Sequence, residues 1–190
     1  MVLNLYFTPP VGMKGTATDG VKELAALTGR TPSAVHRRMY EFLGWYPTIP
    51  LLYHDDSQDE QSDDPYQPFW NTYFQDPKSL ARDAAELLKA WRTGILALDL
   101  YPQLIADTME PNVPEVVELA KLTRTAPQQI VDILHDYLAC DPFTRGKVAQ
   151  APETPSPRST LLWHRFEGKK AALKAAVEQA KVGLIKKQRG

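Results

Sequence analysis

Apolar positions recur every three or four residues along most of this chain, the spacing that builds one buried face on an α-helix. Leu24, Ala25 and Leu27 belong to one such run, and Gly29 follows where a helix end favours a positive φ, so a helix is predicted over 18–28. Thr31 then offers a capping hydroxyl, Pro32 suits a first helical position, and Val35, Met39, Phe42 and Leu43 form the next stripe. A second helix is predicted over 32–43. The one candidate for a short strand is Ile49 to Tyr53, and the fold class read from the whole pattern is all-α.

The same pattern returns 95 residues later. Leu3-Asn4-Leu5-Tyr6 reappears as Leu98-Asp99-Leu100-Tyr101, and the run from Val21 to Thr28 reappears from Val116 to Thr123. Pro32, Val35, Met39, Phe42, Leu43 and Pro47 have counterparts in Pro127, Ile130, Leu134, Tyr137, Leu138 and Pro142. One offset held over so many positions marks a duplicated module. A third piece recurs at an offset of 93, with Trp70, Tyr73, Leu80, Ala84 and Leu87 answered by Trp163, Phe166, Leu173, Val177 and Ala180. The two-residue difference falls in the polar, proline-rich connections. Trp70 and Trp163 read as core anchors of their modules. The residues from Ala90 to Thr108 join the copies and are expected to be helical, continuing the helix that begins near Ser79. Two tandem helical modules follow, 1–93 and 94–190, the second diverged and ending in a basic helix.

Two helices joined by Thr28-Gly29-Arg30-Thr31 have the layout of a helix-turn-helix, which many hairpins without nucleic-acid contact also share. With Val35, Met39, Phe42 and Leu43 inward, the outward face of the second helix carries Ser33, His36, Arg37 and Tyr40. Arg30 lies in the turn and Arg38 toward the flank. In a helix-turn-helix the start of the second helix enters the major groove while neighbouring basic side chains hold phosphates.

Composition changes this picture little. With 190 residues, 43% hydrophobic and 24% charged, the chain is of ordinary globular make-up, long enough to bury about 70% of its unfolded surface. The net charge of -1 hides a sorted distribution. Residues 54–64 carry six acids and no lysine or arginine, which reads as a solvated loop, whereas Arg158 to Gly190 holds nine basic residues against Glu167 and Glu178, a balance of +7. Lys170, Lys174 and Lys181 share a helical stripe there, with Leu173, Val177 and Ala180 on another face. Such a stripe is either a solubilising surface or a phosphate contact, and the tail Lys186-Lys187-Gln188-Arg189 adds to it. Cys140 is the only cysteine, which excludes an internal disulfide and a cysteine zinc site. No signal-peptide pattern and no apolar run of about 18 residues is present, so a cytoplasmic location without membrane insertion is expected.

The strings Leu3-Asn4-Leu5-Tyr6-Phe7, Glu23-Leu24-Ala25 and Gly29-Arg30-Thr31-Pro32-Ser33-Ala34-Val35, followed by Phe42, Pro47 and a W-x-x-[YF] start at Trp70, carry a further signal. Together they resemble the N-terminal region of bacterial HNH-type restriction endonucleases, a region that precedes the nuclease domain and is taken to bind DNA. The resemblance covers nearly all of the first half and, more weakly, the second. It implies a DNA-binding module present here in duplicate. An HNH nuclease needs a histidine base and clustered metal ligands, whereas His36, His54, His135 and His164 are scattered, and His54-Asp55-Asp56 reads as part of the acidic loop. The expectation is therefore a protein without the nuclease, without catalytic residues, metal or cofactor, and without a small-molecule substrate.

The second copy departs from the first on its recognition face. Arg124 stands for Gly29, Thr125 for Arg30, Gln128-Gln129 for Ser33-Ala34, Asp132 for Arg37 and Ile133 for Arg38. An aspartate repels phosphate, and losing glycine at a helix end costs about 1 kcal/mol. Arg124, Gln128 and Gln129 keep some groove-reading chemistry, since glutamine can pair with adenine. Two readings remain open. In one, Arg30, Ser33, His36, Arg37 and Arg38, aimed by the Thr31 cap and aided by Lys170 and Lys174, bind double-stranded DNA for a regulator or a restriction or mobile-element accessory. In the other, the hairpins are a protein-interaction or self-associating scaffold, and a homodimer is compatible with either.

Overall fold

The computed structural model describes residues 18–41, 67–73 and 76–189. The N-terminal repeat of Leu3 to Tyr6, the candidate strand, the acidic loop with His54, and Phe42, Leu43 and Pro47 lie outside the described residues. Among those described, regular structure is entirely helical: α1 (Asp19–Thr28), α2 (Pro32–Glu41), α3 (Gln67–Tyr73), α4 (Pro77–Leu100), α5 (Pro114–Thr123), α6 (Pro127–Cys140), α7 (Pro157–Phe166) and α8 (Lys170–Arg189), with short 3₁₀ turns at Tyr101–Gln103 and Ala106–Thr108. The chain divides into two compact units, Met1–Leu88 and Lys89–Gly190. Both this division and the one expected at 93/94 fall inside α4.

In the first unit, α1 ends because Gly29 takes the left-handed conformation at φ 69. There the N–H groups of Gly29 and Arg30 both reach the Ala25 carbonyl, the latter at 3.1 Å, which satisfies an otherwise orphaned helix terminus. Thr31 Oγ1 accepts from the Ala34 N–H at 3.1 Å and starts α2. Val21, Leu24 and Ala25 of α1 then bury against Val35 and Met39 of α2. Each fully buried aliphatic side chain stabilises such a hairpin by about 1.5–3 kcal/mol. Trp70 of α3 is buried, as are Leu80 and Ala84 of α4, and Tyr73 Oη donates to Asp83 Oδ2 at 2.9 Å to tie these two helices. Asp76 caps α4 by accepting from the Ser79 N–H at 3.0 Å.

The linker expected to continue the helix from Ser79 does so, since α4 runs unbroken to Leu100. From Arg92 to Leu98 every residue is buried in the second unit, as befits a helix surrounded by others. α5 packs on α6, α6 on α7 and α7 on α8. The core gathers Ile95, Val116, Ile130, Leu134, Tyr137, Leu138 and Leu162. Tyr137 Oη donates to the Gly94 carbonyl at 2.8 Å, and a Cβ at Gly94 would lie 2.6 Å from Leu162 Cδ1, so a larger residue here would require the buried Leu162 to shift. Trp163 packs on Tyr137 at 6.3 Å between ring centres and edge-on to Tyr101 at 5.7 Å, the anchoring role expected of it. Tyr101 Oη donates to Asp141 Oδ2 at 2.9 Å, and burial with that bond pushes its phenol up to about 12. Cys140, at the end of α6, is half-buried, and burial pushes its thiol up.

Candidate nucleic-acid interface

The face that could meet a ligand in the first unit is set by what α2 buries. At about 100° per residue, Val35 and Met39 inward place Ser33 and Arg37 on the opposite side and His36 and Arg38 on the two flanks. The structure follows this. Ser33 and Arg37 are exposed, and so are Arg30 and Thr31 at the turn, while His36 and Arg38 are half-buried. The side chain of Tyr40 lies outside the described residues. His36 is thus a flank residue rather than part of the outward centre, a distinction already contained in the helical angle. The described centre is Arg30, Thr31, Ser33 and Arg37, all exposed, with the Thr31 hydroxyl capping α2.

The second unit turns its corner differently. Arg124, a residue with a Cβ, adopts the left-handed conformation at φ 51 and ψ 48. Its N–H reaches the Lys121 carbonyl at 3.3 Å and the Thr125 N–H reaches Ala120 at 3.0 Å. Lys89 Nζ donates to the Arg124 carbonyl at 2.6 Å, a charge-assisted bond that helps hold the strained residue. The residue before α6, Ala126, has no hydrogen-bonding side chain to cap it. On its exposed start lie Gln128 and Gln129, and Gln128 Nε2 donates to Asp132 Oδ1 at 3.0 Å. One N–H of the amide that could read a base edge is therefore directed to a carboxylate four residues on. That pairing was legible from the i, i+4 spacing.

Lys170 and Lys174 of α8 are exposed, as are Lys169 and Lys181. Arg165 is half-buried, its guanidinium 4.7 Å from the Phe166 ring centre. No three His, Cys, Asp or Glu side chains among the described residues gather to hold a metal ion. His135 Nε2 is buried without a hydrogen-bond partner, and His164 Nδ1 stands 3.9 Å from Glu167 on the surface. Among the described residues no helix is long and apolar enough to cross a membrane. No protein-family model, curated protein or solved structure matches this chain.

Proposed function

We propose that this protein is a non-catalytic double-stranded DNA-binding protein made of two tandem helix-turn-helix modules of one plan, which reads DNA mainly through the first. The observation that carries the reading is the exposed row of Arg30, Ser33 and Arg37 beside the capped start of α2, on the side opposite the buried Val35 and Met39. A capped helix N-terminus with flanking guanidinium groups suits the major groove and its phosphates. The tandem plan is supported by α1 and α5, each ten residues long and each closed by a left-handed residue. The likeness of the first half to the region preceding HNH-type nucleases favours a regulator or an accessory of a restriction or mobile-element system.

The test is a fluorescence anisotropy titration of a labelled duplex. Arg37→Ala with Arg38→Ala should weaken binding at least tenfold and flatten its salt dependence by about two in log–log slope. An unchanged isotherm in the folded double variant rejects the first module as the reader. Asp132 on the matching face of the second unit favours a partner protein there, and self-association that is insensitive to salt and to DNA would establish the scaffold reading instead.

A further inference from the structure

The cationic character of the second unit is concentrated on α8 and not on its hairpin. Lys170, Lys174 and Lys181 fall within about 40° of helical arc, and all three are exposed. That arc borders the face buried by Ala176, Val177, Ala180 and Leu184. Packing of that face fixes the direction of the stripe. Glu178 is the only acid in the helix. At a rise of 1.5 Å per residue the three lysines span about 16 Å, roughly five phosphate steps along one strand of a duplex.

The hairpin of the same unit is of mixed charge. Glu115, Glu118 and Lys121 are exposed on α5, Arg124 at the turn and Asp132 on α6, where Asp132 accepts one N–H of the Gln128 amide. The helices pack in the order α5, α6, α7, α8, which puts the hairpin and the basic helix at the two ends of that succession. A polyanion is drawn more strongly to the basic helix than to the hairpin, whose exposed acids outnumber its exposed bases.

We infer that the second unit is a sequence-neutral phosphate clamp, in which Lys170, Lys174 and Lys181 hold the sugar-phosphate backbone of a DNA duplex and the α5–α6 hairpin makes no base contact. The inference rests on the DNA-binding reading above and gives the second unit a role of its own. Each neutralised phosphate contributes about 0.9 to the slope of log affinity against log salt. In the full-length chain with a random-sequence duplex, Lys170→Gln, Lys174→Gln and Lys181→Gln together should lower that slope by about two to three, equally on every sequence. The three arginine replacements should keep it. Asp132→Lys should leave the slope as it is, because the hairpin lies away from the backbone. If the folded triple glutamine variant keeps the wild-type slope while Arg37→Ala with Arg38→Ala still loses affinity, the clamp is overturned and the DNA reading stands. A steeper slope for Asp132→Lys places the hairpin on the backbone and overturns the inference in that half. A wild-type chain with no salt-dependent binding overturns both readings together.

Discussion

Arg124 holds the backbone in a region where its own Cβ crowds the following carbonyl, at about 1–2 kcal/mol. The sequence expectation that losing glycine here is costly thus has a concrete form, since the chain keeps the left-handed turn and supports it with the Lys89 bond. Arg124→Gly should raise stability by about 0.5–1 kcal/mol in a denaturant titration, the relief of strain being partly offset by the freer unfolded chain. A destabilised variant would mean that the arginine side chain contributes more than its strain. Arginine gives no hint of positive φ in a sequence, so this turn was legible only through its alignment with Gly29. Tyr101 gives the second residue-scale expectation. Its raised pKa means that the folded state favours the neutral phenol, so the stabilisation is complete below the ordinary tyrosine range near 10 and disappears as pH rises through about 12. Thermal melts from pH 9 to 12 should show a falling midpoint, and Tyr101→Phe should flatten the decline.

Among elements, the helices were the most legible part of the fold because their apolar stripes and end signals agree. Gly29, Thr31 and Pro32 bound α1 and α2 where the spacing puts them, and α4 continues through the linker as expected. Helix crossings were not legible. Gly94 reads as a propensity defect in a long helix, yet it lets Leu162 of α7 and the Tyr137 hydroxyl reach the α4 backbone. Gly94→Ala should cost about 1–3 kcal/mol by overpacking, and much less when made on a Leu162→Ala background, so a double-mutant cycle should give a clear coupling. Additive effects would rule out the contact as the cause. α6 offers the converse case, because Ala126 leaves its N-terminus without a capping side chain. Ala126→Ser should stabilise the second unit by about 0.5–2 kcal/mol, with hydrogen exchange slowed at the start of α6. An unmoved exchange rate there would show that the new hydroxyl does not cap.

For the whole molecule, on the DNA-binding reading proposed above, a net charge of -1 conceals a division of labour. Scaffold positions are duplicated, whereas the outward basic residues of α2 have a carboxylate, Asp132, and neutral groups in their places on α6. Selection of bound duplexes from a random pool should therefore yield one short asymmetric motif. A palindrome with half-sites about one helical turn apart would instead require two equivalent readers. The candidate face of the first unit could be drawn from helical angle alone, with His36 as its one displaced member. The commitment of Gln128 to Asp132 shows why the second face was harder to judge, since residue type states what a side chain can bond and not what already holds it.

Cys140 is half-buried at the end of α6 and its thiol is pushed up by burial, so little of it is thiolate near neutral pH. A fluorophore directed by maleimide to a cysteine newly placed on an exposed position outside the α2 face, such as Ala81, would therefore attach there well ahead of Cys140. Probes on the first unit can thus be installed without first replacing the native cysteine.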